Sequence, residues 1–229
     1  MSRHNKLKKF AEILAFPNVY ECYDVQQPQL VGAGMQPVDL KGRWHSAHFN
    51  NNNPITLELA CGAGEYAVGL ATMFPERNFI GVDIKGNRLW TGAKQALDAG
   101  LNNVAFLRTR IEIIDLFFAQ DEIQEIWITF CDPFPRHGKE NRRLTSARFL
   151  ELYRSMLIPG GLVHLKHDDP DFYKFSVNTL LADPKCRILY DNTDIYASEL
   201  LFPELNMKTK YEEMHLANGK KIKYLRFTI

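Results

Sequence analysis

The run Ile55-Thr56-Leu57-Glu58-Leu59-Ala60-Cys61-Gly62-Ala63-Gly64 decides the architecture of this chain. Its apolar first part predicts a buried strand over residues 55–60. Gly62 and Gly64 then allow a tight turn and a close approach of backbone to a ligand, and a helix follows through about residue 74. The next apolar run, residues 78–83, ends Phe79-Ile80-Gly81-Val82-Asp83 and predicts a second strand carrying an acid at its C-terminal end. Strand, glycine turn, helix and strand make the first unit of a parallel α/β sheet.

Outward from this unit the alternation continues. A helix over 87–99 is closed by Gly100, a strand covers 103–108, and a short helix covers 111–119. A strand over 123–130 leads to a helix over 145–157, with Thr145 as its cap and Phe149, Leu152, Tyr153 and Met156 on one face. Pro159-Gly160-Gly161 turns the chain into a strand at 162–166, then a helix at 170–181 and a strand-like run at 187–191. In the tail, two runs flank Asn218-Gly219, a hairpin signal. The fold read from this pattern, over residues 54–229, is a Rossmann-like, doubly wound α/β domain: a mostly parallel seven-stranded sheet with a C-terminal antiparallel hairpin. Residues 1–53 read as a basic helix, with Leu7, Phe10, Ala11 and Leu14 at helical spacing, followed by an irregular arm rich in Pro, Gly, Gln and Asn.

Composition narrows the class. The chain has 229 residues, 45% hydrophobic and 24% charged, which suits one globular domain with a proper core. Cys22, Cys61, Cys131 and Cys186 are far apart, so neither a zinc site nor a disulfide framework is indicated, and a reducing cytoplasm is the expected compartment. His45, His48, His137, His164, His167 and His215 make no metal-ligand pattern. No secretory signal or membrane-spanning run is present, and the residues leave monomer or homodimer open. The net charge of +1 hides segregation: Arg3, Lys6, Lys8 and Lys9 near the start and Lys208, Lys210, Lys220, Lys221, Lys223 and Arg226 near the end make basic segments.

In doubly wound sheets ligands bind beyond the carboxyl ends of the strands. Glu58, Gly62, Gly64, Asp83, Asp132 and Asp168 all fall at or just past such ends. An acid at Asp83, 19 residues beyond Gly64, suits the two hydroxyls of a ribose. With Ala67, the glycine run also meets a loose dinucleotide fingerprint, so an NAD-dependent oxidoreductase is one reading. S-adenosylmethionine fits better: Glu58 suits a cationic ligand, and no constellation for hydride chemistry accompanies the turn. Asp132 opens a rigid Pro133-Phe134-Pro135 loop rimmed by Arg136, Lys139, Arg142 and Arg143 against Glu140. That is a site for a polyanion or an ordinary loop with solvated charges. Phe134 either stacks on a base or packs under its loop, and Thr209 and Glu212 on their own read as the start of the hairpin.

Taken together, Glu58-Leu-Ala-Cys-Gly-Ala-Gly64, Gly81-Val-Asp-Ile-Lys-Gly86, Asp132-Pro-Phe-Pro135, Arg142-Arg-Leu144, Lys166-His-Asp168 and Thr209-Lys-Tyr-Glu212 resemble the tRNA (guanine-N7-)-methyltransferases. The resemblance implies an S-adenosylmethionine-dependent enzyme acting on the guanine at position 46 of the tRNA variable loop. It implies that Glu58, Gly62, Gly64, Asp83 and Asp132, with the loop at Arg110, serve the cofactor, and that Asp132 is the catalytic residue. Arg136, Asp168, Thr209, Lys210, Tyr211 and Glu212 fall at substrate-binding positions. Three places depart from the family pattern: Arg110 stands for an acid or amide, Phe134 for a tryptophan, and residues 137–141 for a more basic run. Other readings are a methyltransferase on another RNA or small substrate, and an inactive RNA-binding relative, for which Arg110 is the argument.

Overall fold

A computed structural model describes residues 3–22, 24–136 and 138–229; His137 and the side chain of Arg3, both named above, lie outside the described set. Side chains alternate across each strand and feed two cores, one on each face of the sheet. Ile55, Leu57 and Leu59 of β2 (Ile55–Leu59) join Ile126 and Ile128 of β5 (Ile123–Thr129) in one core. Phe106 of β4 (Val104–Arg108) and Trp127 of β5 join the other, under α2 (Glu65–Met73) and α3 (Gly86–Asp98). Double-sided burial explains why the central strands are nearly all apolar.

Among the described residues eight strands form one sheet, in the order β1-β4-β3-β2-β5-β6-β8-β7. Strands β1 (Val19–Glu21), β4, β3 (Asn78–Asp83), β2, β5 and β6 (Leu157–His167) run parallel. The chain builds β3 and β4 on one side of β2 and β5 and β6 on the other, so a crevice opens above the β2–β5 seam. The fold class read from the sequence holds, and four of its details change.

The sheet gains an eighth strand, because Val19–Glu21 of the irregular arm pairs with Phe106–Arg108. The same arm buries Leu30, Leu40 and Trp44 in the core. The hairpin around Asn218-Gly219 is replaced by helix α6 (Lys210–Ala217) followed by β8 (Lys223–Thr228), which runs antiparallel to both β6 and β7 (Arg187–Asn192). Gly219, at φ 71°, ends α6: its N–H donates to Leu216 O (2.9 Å) and the N–H of Lys220 to His215 O (3.0 Å), a Schellman closure. Thr145 caps nothing. It is buried with its hydroxyl 2.7 Å from that of Ser176, fastening the start of α4 (Ala147–Arg154) to α5 (Pro170–Ala182). Finally, α1 (Arg3–Ile13) docks through its far end rather than its apolar stripe: Leu7 is 62% exposed while Ile13 is buried. Lys9 Nζ lies 4.1 Å over the Trp90 ring, and Glu12 accepts the indole N–H at 2.9 Å. No helix among the described residues is long and apolar enough to cross a membrane.

Candidate active site

The turn after β2 forms the floor. Ala60, Gly62 and Gly64 have φ of 58°, 58° and 71°, a left-handed stretch that suits glycine. At Gly64 a Cβ would lie 2.4 Å from the Phe106 ring, so α2 enters tightly against β4. Gly64→Ala is therefore expected to destabilise the fold by about 1–3 kcal/mol, read as a shift in the urea midpoint at unchanged slope. At Gly62 a Cβ would meet nothing within 4 Å. That position opens onto the cleft.

Glu58 sits beneath the turn, buried, with Oε2 accepting from Ala67 N (2.9 Å) and Oε1 from the Thr129 hydroxyl (2.8 Å). It thereby caps the first turn of α2, whose own N-cap, Gly64, has no side chain to do so. Burial pushes its carboxyl up to about 8, against the pull of those two donors. Between the ordinary carboxylate range and that value the folded chain holds a proton that the unfolded chain has released, so raising pH favours unfolding. The stabilisation is complete below about 4.5 and is lost as pH rises through about 8. The expected slope is at most about 1.4 kcal/mol per pH unit, and a Glu58→Gln variant should lack it in urea titrations across that window.

Asp83, at the end of β3, accepts from Gly62 N (2.9 Å) and Lys85 N (2.8 Å), which ties the glycine turn to the neighbouring strand. Asp132, just past β5, is exposed, and its Oδ1 accepts from Phe134 N at 2.9 Å. Among the described residues no ion pair engages its other oxygen. Phe130 and Phe134 on either side have φ of 46° and 44°, left-handed values that bulky residues rarely hold. The strand exit is thus bent to present Asp132.

Two recesses meet here. One, of about 560 Å³, runs from Glu58 and Gly62 to Tyr211 and Met214 on α6. The other, of about 340 Å³, runs from Asp83 to Arg110 and Ile111. Asp132 lines both, as does Arg88, a residue without a motif to mark it in the sequence.

The candidate substrate residues divide. Thr209 is the N-cap of α6, accepting from Glu212 N at 3.2 Å. Lys210 is tied to Glu65 by its backbone N–H (2.8 Å) and its ammonium (3.4 Å). Tyr211 and Met214 are about half exposed and line the first recess. Glu212 is not brought to the cleft: it is wholly buried, 2.8 Å from Lys166 Nζ and 2.7 Å from the Tyr196 hydroxyl. Asp168 lines neither recess; it is held by Lys220 (2.5 Å) with His215 at 3.5 Å. Burial pushes its carboxyl up, but the Lys220 ammonium together with the His167 and His215 rings beside it brings it below the ordinary value. His167 contributes as a neutral ring: its Nδ1 accepts from Asp169 N (2.9 Å), so Nε2 donates to Cys131 O (2.8 Å). Arg136 is exposed on its loop. Arg143, read above as a candidate phosphate contact, is turned inward. Its guanidinium donates to Pro133 O (2.9 Å) and Phe134 O (3.3 Å) and lies 4.6 Å over Phe175, which fixes the loop that carries Asp132.

The family described as "Putative methyltransferase" matches residues 52–225. A tRNA (guanine-N(7)-)-methyltransferase of Bacteroides fragilis is 47% identical over 225 residues, 98% of this chain and 86% of that protein. One of Christiangramia forsetii is 44% identical over 230 residues, covering all of both chains. The chain belongs to this methyltransferase family. Among solved structures, the 16S rRNA methyltransferase KamB superposes with a TM-score of 0.60 at 16% identity, over 88% of this chain and 98% of that one. A 16S rRNA (adenine(1408)-N(1))-methyltransferase of Catenulisporales acidiphilia, in a variant solved with its cosubstrate SAM, gives 0.58 at 15%, over 86% and 95%. At such identities the likeness shows the fold, Rossmann-like as expected. As a member of this methyltransferase family the protein is an enzyme and S-adenosylmethionine is its methyl donor. The site fits that donor: Gly62 leaves an open cradle, Asp83 puts an acid on the adjoining recess, and the Glu58 carboxyl holds the glycine turn from beneath.

Proposed function

We propose that the protein transfers the methyl group of S-adenosylmethionine to N7 of a guanine in tRNA, and that the guanine is that at position 46 of the variable loop. The observation that carries the reading is the place of Asp132, on the border shared by the two recesses. The donor, when bound, supplies an electrophilic methyl group. Glu58, Gly62 and Asp83 would hold it, and the backbone at Arg110–Ile111 would frame the adenine, because an arginine side chain accepts no hydrogen bond.

Guanine N7 already carries a lone pair and loses no proton, so the protein needs alignment rather than a strong base. Asp132 accepts from the guanine edge or faces the positive charge that develops on the ring, and so fixes both identity and position. Tyr211 and Met214 line the cleft from α6 and offer apolar surface to the substrate. The chain is expected to work in the cytoplasm, where tRNA and a reducing environment coincide.

The test is methyl transfer from labelled donor to unmodified tRNA, followed by chemical cleavage at 7-methylguanosine. A single cut in the variable loop is expected. Label without cleavage at N7 would discard the guanine assignment, and no label despite donor binding would discard tRNA.

A further inference from the structure

Beside the Asp83 recess, and opening with it at the same end of the sheet, lies a third recess of about 490 Å³. Arg110, Lys139, Arg142 and Arg148 line it, with Glu112 as the acid among the lining residues. It shares Arg110, Glu112, Arg142 and Phe149 with the Asp83 recess, so the two are continuous. We propose that this four-cation basin binds the phosphodiester backbone of the substrate RNA, next to the guanine that reaches Asp132. The proposal rests on the reading that tRNA is the substrate.

Charge makes the first argument. The whole chain has a formal net charge of only +1, yet this recess gathers four cations against one acid. Among the described residues, the one acid within ion-pair distance of any of the four is Glu112, 3.9 Å from Arg110. One carboxylate at that separation leaves most of the guanidinium donors of Arg110 unused, and its side chain is 51% exposed.

Geometry makes the second. The guanidinium of Arg142 lies 4.9 Å over the Phe134 ring and that of Arg148 lies 5.7 Å over Phe149. A guanidinium held over a ring still has N–H groups to offer, which suits the paired oxygens of a phosphate. Val25 and Ile113 add an apolar wall against which a ribose can lie. Continuity makes the third: Asp132, Phe134 and Arg142 all line the Asp83 recess, and Arg142 lines the basin as well. A strand whose base enters at Asp132 therefore carries its neighbouring phosphates over Arg142 and into the basin. On this reading Arg110 belongs to the RNA, and the adenine beside it is framed by backbone.

The experiment measures tRNA affinity of the full-length protein by fluorescence anisotropy at several salt concentrations. Arg148→Gln and Arg110→Gln are each expected to lower the slope of log affinity against log salt by about 0.7–0.9, the value for one phosphate contact. Affinity at moderate salt should fall several-fold, and the two lysine replacements should keep the slope. Lys185→Gln, on an exposed turn and outside the lining of the basin, is the control for general charge. Unchanged slopes in both glutamine variants would overturn the proposal, as would an equal loss in the control. A loss of donor affinity in Arg110→Gln by calorimetry, with its RNA slope intact, would overturn it by returning Arg110 to the cofactor. Binding is read without turnover, so a protein that binds tRNA through the basin but methylates no guanine would sink the functional reading alone.

Discussion

Asp132→Asn is expected to lower the rate of tRNA methylation by about a hundredfold or more, with the effect in kcat and with thermal stability unchanged. The substitution keeps the shape of the side chain. It also keeps the bond that Asp132 itself makes to the loop, because an amide oxygen can still accept from Phe134 N at the 2.9 Å now spanned by Oδ1. Arg143 still clamps Pro133 O and Phe134 O from beneath. What the variant loses is the negative charge and the second acceptor, which are the features that face a guanine becoming cationic as its N7 bond forms.

A ground-state contact of equal strength in substrate and transition state would appear in KM alone, whereas a charge that meets developing charge appears in kcat. Single-turnover rates with saturating tRNA and donor separate the two. A variant that turns over at near the parent rate would remove Asp132 from the chemistry and leave it a loop former. Asp132→Ala is the less informative variant, since it also removes the acceptor for Phe134 N and so mixes chemistry with loop geometry.

The glycine turn and the acid that holds it were legible because they are written in neighbouring residues. A left-handed turn demands glycine, an acid at the end of the second strand is a fixed distance away, and both are visible at Gly62, Gly64 and Asp83. The parallel sheet was legible for a similar reason, since double-sided burial writes near-continuous apolar runs. The edge strand Val19–Glu21 was not, because three residues carry no period and pairing on one side asks little of them.

The tail was misread for a different reason. Asn-Gly serves a hairpin or the end of a helix equally well, and the deciding signal lay upstream, where Thr209 followed three residues later by Glu212 marks a helix start. Arg143 shows the limit of a charge run. Composition says that four cations lie between Arg136 and Arg143, but the backbone decides which one turns inward to Pro133 O and which stay on the rim. The basic rim is real, and it extends to Arg110 and Arg148 on other elements, which only the fold brings together.

Lys166→Met is expected to destabilise the protein by about 3–5 kcal/mol, a fall in Tm on the order of 10 °C for a chain of this size. Lys166 and Glu212 are both wholly buried and 2.8 Å apart. The ammonium also donates to Leu205 O (3.1 Å) and Met207 O (3.0 Å), so a single cation ties β6 to α6 and to the segment before it. Burial pulls Lys166 below its ordinary value, and the carboxylate of Glu212 opposes that pull. Removing the lysine leaves a buried carboxylate and the Leu205 carbonyl to share the single Tyr196 hydroxyl (2.7 and 3.4 Å), and takes from the Met207 carbonyl the ammonium that donates to it. Glu212→Gln should cost less, about 1–3 kcal/mol, because an amide oxygen still accepts from Lys166 and Tyr196. Replacing both by apolar residues should cost less than the sum of the two, since neither charge is then left unpaired. The functional consequence follows from what α6 carries. Tyr211 and Met214 line the same recess as Asp132, so a loosened α6 should raise KM for tRNA more than it lowers kcat. Additive losses in the double variant, or a kcat effect as large as that of Asp132→Asn, would show that the pair does something other than hold α6 in place.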